Sequence, residues 1–213
     1  MKLFEGGIVQ SVSILMRKAC LAAAFAGVFS ITPAQSQVTD TRMVAGWFLA
    51  KIKSERLGMN NCIASKTFSD GTKLELTFAV NGSEFHKMEL ENEDWTSLNS
   101  VELGGGGKPD PIMPLSISYG GTSEAPLTED FRVSPKTMFN MKPKLWKSFK
   151  TDAFGGIVRN LAASNAIRVT SGDRVIGNWP MDGSKAAITA LLQCAQADLS
   201  EQNRRLENDP FRK

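Results

Sequence analysis

A bond between Cys62 and Cys194 would tie the last amphipathic segment of this chain to the beginning of its domain. The third cysteine, Cys20, sits in a segment expected to be removed on export. The remaining even pair in an exported chain reads as one disulfide, and the alternative is two reduced, buried thiols. Closing a loop of over a hundred residues stabilises by up to about 4–5 kcal/mol in the chain-entropy account. Cys194 closes the stretch that opens Trp179-Pro180-Met181-Asp182-Gly183-Ser184-Lys185-Ala186-Ala187-Ile188, which reads as a strand end, a turn and a helix start. Asp182 or Ser184 can cap that helix. Ala187, Ile188, Leu191, Leu192 and Ala195 make its apolar stripe.

The export reading comes from the N-terminus. Arg17 and Lys18 precede an apolar, Ala-rich run from Ala19 to Ile31, followed by Thr32, Pro33 and the small residues Ala34 and Ser36. This is a charged region, an apolar region and a cleavage site after Ser36, so residues 1–36 are expected to be a signal peptide, with Met16 an alternative start. The run is too short for a membrane span, which needs about 20 residues. Cys20 lies inside the apolar region, not at the cleavage point, so no lipid attachment is expected there. The full chain carries +3, and Lys2, Arg17, Lys18 and Glu5 leave with the leader, so the working chain is near +1. Nothing in that balance points to nucleic acid or to a polybasic membrane anchor. A periplasmic or secreted location is expected, with no integral membrane segment after cleavage.

Residues 37–200 are expected to form one domain, and the charged residues 201–213 a disordered tail. Gln37 to Arg42 reads as a loose lead-in and Met43 to Ile52 as a first strand around Trp47. Cys62 to Phe68 and Lys73 to Val80 read as strands joined at Ser69-Asp70-Gly71. Leu74, Leu76 and Phe78 alternate with Lys73, Glu75 and Thr77. Asn81-Gly82 is a strong hairpin signal that folds Glu84 to Leu90 back on Lys73 to Val80. Leu98 to Leu103, Leu115 to Tyr119, Phe131 to Ser134 and Thr137 to Met141 read as further strands. Lys144 to Arg159 reads as a helix through Leu145, Trp146, Phe149, Phe154 and Ile157, weakened by Gly155-Gly156. Asn165 to Trp179 reads as a hairpin turning at Ser171-Gly172-Asp173. The fold class expected is α+β: a mostly antiparallel sheet with two helices toward the C-terminus packed on one face.

The residues supply no catalytic set. His86 is the only histidine, so any Ser-His-Asp or Cys-His site must use it. It lies mid-strand with no nucleophile signature nearby and reads as a partly exposed strand residue. One histidine and two paired cysteines leave too few ligands for zinc, so neither metal nor cofactor is expected. Gly104-Gly105-Gly106-Gly107-Lys108 misses the phosphate-loop pattern, because Glu102 precedes Gly106 by four and Pro109 follows the lysine. It reads as a flexible lip. Asp94, Asp110, Asp130, Asp152 and Asp173 fall at predicted turns or element ends, where aspartate usually caps; paired, they could hydrolyse glycosidic bonds. Trp47 and Trp179 read as core. Trp95, Gly104, Gly105, Gly106, Gly107, Lys108 and Tyr119 form the candidate binding surface, with Trp95 and Tyr119 as exposed contacts.

From Trp47 to Cys194 the chain resembles small secreted proteins of Gram-negative bacteria, including the invasion-associated protein B family. The shared features are an early tryptophan strand, a cysteine soon after, a central run of strands, and Met181-Asp182-Gly183-Ser184-Lys185-Ala186-Ala187-Ile188 leading to Cys194. The resemblance implies a periplasmic or surface protein with a β-rich fold and a non-catalytic role in envelope or host interaction. The chain departs from that family's denser cysteine pattern, having only Cys62 and Cys194 in the working domain. No functional residue beyond those two carries over. The function expected is therefore binding of a protein or envelope component. The alternatives are a cell-wall or carbohydrate hydrolase using loop carboxylates, and an inhibitor or immunity-type protein inserting Gly104–Pro111 into a partner's cleft.

Overall fold

The computed structural model describes residues 37–54, 59–80, 85–100, 111–135 and 142–207. The expected leader, the Asn81-Gly82 turn, Gly104 to Lys108, Asp110, the strand expected over Thr137 to Met141, and residues 208–213 lie outside the described residues.

Among the described residues ten strands build one antiparallel sheet: β1 (Gln37–Val44), β2 (Trp47–Ser54), β3 (Met59–Thr67), β4 (Lys73–Ala79), β5 (Phe85–Glu91), β6 (Ile112–Gly120), β7 (Leu127–Ser134), β8 (Lys144–Lys150), β9 (Ala166–Ser171) and β10 (Arg174–Pro180). Their spatial order is β1-β2-β3-β4-β5-β8-β7-β6-β9-β10. Two helices, α1 (Thr151–Ala163) and α2 (Ser184–Glu207), pack on the same face. This is the α+β architecture expected from the alternation of apolar residues and the late change of period.

Several local readings are corrected. Gln37 to Arg42 is strand, not a loose lead-in, and the single first strand is two, turning at Ala45-Gly46 with φ of 49° and 83°. Positive φ at both central residues suits a two-residue hairpin, but Ala-Gly is a weak signal for it beside Asn-Gly. Lys144–Lys150 is strand β8, not the first half of a helix. Leu145 and Phe149 satisfy a two-residue period as well as a helical one, so periodicity alone could not decide. Lys150 caps α1 without a side-chain hydrogen bond, so the boundary carried no capping signature, and Gly155-Gly156 leaves α1 undivided. Thr96–Ser100 is a 3₁₀ turn where a strand was expected at Leu98. The last helix continues to Glu207, past the expected ordered limit at residue 200.

The sheet curls strongly. Laid flat, β3 and β10 stand seven strand spacings apart, roughly 34 Å. Yet the Trp179 indole N–H of β10 donates to Asp70 Oδ2, in the β3–β4 turn, at 2.7 Å, and its ring stacks on Phe68 at 5.4 Å. Gly177 permits this, because a Cβ there would overlap the Trp179 ring. At the next corner Gly183 has φ of +78° and packs against the Ala45 carbonyl, leaving no room for a side chain. The Trp47 indole N–H and Lys66 both donate to the Asp182 carbonyl, at 3.1 and 2.9 Å. The core fills the concave side, where Trp47, Leu74, Leu76, Leu90, Phe131 and Ile167 are fully buried beneath the helices.

Cys62 and Cys194 are joined across β3 and α2, with Cα atoms 6.1 Å apart. Lys51 of β2 and the buried Asp198 of α2 form an ion pair that pins the same helix. On the convex face Glu89 lies between Lys87 and Lys144, 2.9 and 3.3 Å away. Burial opposes its ionisation, but those two lysines outweigh burial and hold its carboxyl below the ordinary range.

Candidate functional site

His86 is buried, not partly exposed, and is committed to structure. Its Nδ1 accepts the Ala79 backbone N–H at 3.1 Å, which makes the ring a neutral Nε2–H tautomer facing Thr151 Oγ1 at 3.1 Å. Phe78 stacks on it at 4.0 Å and Phe154 tilts against it at 5.1 Å. This ring has no lone pair left for a nucleophile. Burial pushes its pKa below the ordinary 6.5. Protonation is then easier in the unfolded chain, so stability is fullest above pH 6.5 and declines as pH falls from there toward the depressed native value. Urea unfolding at pH 7.5 and 5.5 should show that decline in the native chain. A His86→Gln variant, which cannot titrate, should show a smaller one, and equal declines would remove His86 as the cause.

The carboxylates do not converge on a cleft among the described residues. Asp94 follows β5 in a turn, where its N–H is held by Asn92 Oδ1 at 2.7 Å. Asp130 lies exposed within β7, not at an element end as expected, and Asp152 lies exposed in the first turn of α1. Asp173 is exposed in the β9–β10 turn. No group of three or more metal-binding side chains occurs among the described residues. No described helix is long and apolar enough to cross a membrane.

Of the candidate binding residues, the structure separates Trp95 from Tyr119. Tyr119 is buried on the concave face of β6, with its hydroxyl pushed up to about 12 by burial, so it is not an exposed contact. Trp95 is half-buried and packs against the core. It borders a cavity of about 60 Å³ whose other walls include Leu98, Met113, Leu145, Arg174 and Ile176. Gly104, Gly105, Gly106, Gly107 and Lys108 lie outside the described residues, in the segment that leaves the 3₁₀ turn and enters β6.

Asn92 organises this end of the molecule and was not singled out from sequence. It is buried, and its side-chain N–H groups donate to Thr72 Oγ1 at 2.8 Å and to the Asp70 carbonyl at 3.2 Å. Its Oδ1 accepts the Asp94 N–H, and its carbonyl accepts the Trp95 N–H at 3.4 Å. The Asn-x-Asp spacing after a strand is an Asx-turn signal that could have marked it. Arg174 forms no ion pair with any described carboxylate, so the cavity joins an aromatic edge, an apolar floor and an available cation. In comparisons with family models, curated proteins and solved structures, nothing matches this chain.

Proposed function

We propose that this chain is an exported, non-enzymatic binding protein, periplasmic or secreted, that engages a protein partner through the Trp95 cavity. The observation that carries this reading is the cavity's size. At about 60 Å³ it admits a few waters or one apolar side chain. Small-molecule sites run to roughly 300–1,000 Å³. A half-buried tryptophan beside a one-residue socket and an arginine is the composition of an interface anchor. The resemblance to small secreted proteins acting in envelope or host interaction points the same way.

The test is cross-linking capture in cells expressing the exported chain, comparing native protein with Trp95→Ala and Arg174→Glu. Loss of an anchor costs about 2 kcal/mol or more, close to thirtyfold in affinity. A partner recovered with the native chain should therefore fall at least tenfold with Trp95→Ala, at unchanged far-ultraviolet dichroism. Equal recovery from all three proteins would dismiss the cavity as the contact.

A further inference from the structure

A second surface, independent of the Trp95 cavity, lies where β1 borders α2. Among the described residues β1 has one strand neighbour, β2, so its other edge presents unpaired backbone N–H and C=O groups. The opposite edge strand, β10, is blunted by Pro180 and by a register shift between Val175 and Gly177. β1 has its own irregularity between Val38 and Asp40, but Asp40 to Val44 runs without interruption and holds neither proline nor lysine. Arg42 and Val44 pair with Leu49 and Trp47, whose side chains enter the concave core, so these two residues of β1 face α2.

Between them and the helix runs an open groove of about 710 Å³. Its helical side is Lys185, Ala186, Thr189, Ala190 and Gln193, with Ala186 and Ala190 on successive turns leaving the floor between them shallow. Arg42 and Lys185 are both exposed, and neither forms an ion pair with a described carboxylate. A free strand edge, a shallow floor set beside it and two cations without acidic partners share one complement.

We infer that this groove takes an extended, acidic peptide segment of a partner protein, added to β1 as a further antiparallel strand. Main-chain hydrogen bonds to β1 supply the affinity, and alternate side chains enter the groove. The residue opposite Arg42 is acidic, and the residue opposite Val44 is small and aliphatic, because directly opposed side chains on one face of a sheet contact each other. The two cations select the charge, and the row of alanines selects against bulk. A second copy of this chain would instead place its own β1 on this edge.

The probe is a fluorescein-labelled nine-residue peptide, Thr-Glu-Thr-Val-Thr-Glu-Thr-Val-Thr, which sets Glu and Val in turn along one strand face, with a counterpart carrying Lys for Glu as control, titrated into the exported full chain and followed by anisotropy. The acidic peptide should bind at least tenfold tighter than the basic one, with the advantage shrinking at high salt. Arg42→Glu and Lys185→Glu should each weaken it at least tenfold. Ala186→Trp, which fills an exposed part of the floor, should abolish binding without unfolding the chain. Alternate amides between Thr41 and Val44 should exchange hydrogen at least tenfold more slowly with peptide bound, because alternate residues of a strand face its free edge. Equal affinity for both peptides, indifference to Ala186→Trp, or unchanged exchange in β1 would each overturn the inference. So would light scattering showing a dimer without peptide that Arg42→Glu dissolves, which would assign the edge to a second copy.

Discussion

Replacing both Cys62 and Cys194 by serine should lower the unfolding free energy by about 4 kcal/mol with the core's volume almost unchanged. The two residues are 132 apart in sequence, so the bond removes the closure entropy of a very long loop from the unfolded chain. Folded contacts around it change little. Ala187, Ile188, Leu191 and Ala195 still bury against the sheet, and Lys51 still meets Asp198. The variant should therefore keep native dichroism while its urea midpoint falls and its m-value rises, because the uncrosslinked unfolded chain exposes more surface. Adding reductant to the native chain should reproduce the shift only slowly, since Cys62 is wholly buried and Cys194 half-buried. A midpoint shift worth less than about 1 kcal/mol would mean that docking of α2, not chain entropy, holds this closure.

Trp179→Ala should cost about 3–5 kcal/mol, the usual range for deleting a buried aromatic side chain. Trp179 is 3% exposed, stacks on Phe68 and donates to Asp70. It thus joins the last strand to a turn that is six strands away along the ladder, and its loss opens the curl as well as leaving a void. Trp179→Phe keeps the stack but removes the donor to a carboxylate, and should cost about 2 kcal/mol. That second variant has a distinct signature in acid. Burial raises the Asp70 pKa, but the hydrogen bonds from Trp179 and then Thr72 outweigh it and hold the carboxyl below its ordinary 3.8. A depressed carboxylate contributes stability above its unfolded pKa and loses it as pH falls through the folded value. Trp179→Phe should therefore show less loss of stability below about pH 4 than the native chain. Matching acid profiles for the two proteins would refute the Trp179–Asp70 bond as the source.

These two interactions differ in how far they were legible beforehand. The cysteine pair followed from an even count once residues 1–36 are read as an export leader, and the structure joins the same two residues. Trp179 could be read as core from its place beside a disulfide-linked region, but not as the partner of Asp70. The Lys73–Ala79 and Phe85–Glu91 strands, the β9–β10 hairpin and the stripe of α2 were readable because alternation and turn chemistry agree there. β8 was not, because Leu145 and Phe149 fit two periods and no cap marks Thr151. His86 was placed on the correct face beside Met88 and Leu90 but given the wrong exposure, since its burial comes from Phe154 of a helix far along the chain. The two aromatic residues expected as exposed contacts part company. Trp95 lines a cavity, whereas Tyr119 is covered because the sheet curls over it.

Sequence by itself determined the class of fold, the strands with clean alternation, and the closing helix and its cysteine. Those properties are local, or depend on counting residue types, and a linear chain displays them. The order of strands, the curl that brings β10 against the β3–β4 turn, the burial of His86 and the groove beside β1 were decided only in three dimensions. Each depends on which apolar faces meet across long sequence separations, and alternation states which face is apolar without stating what will cover it.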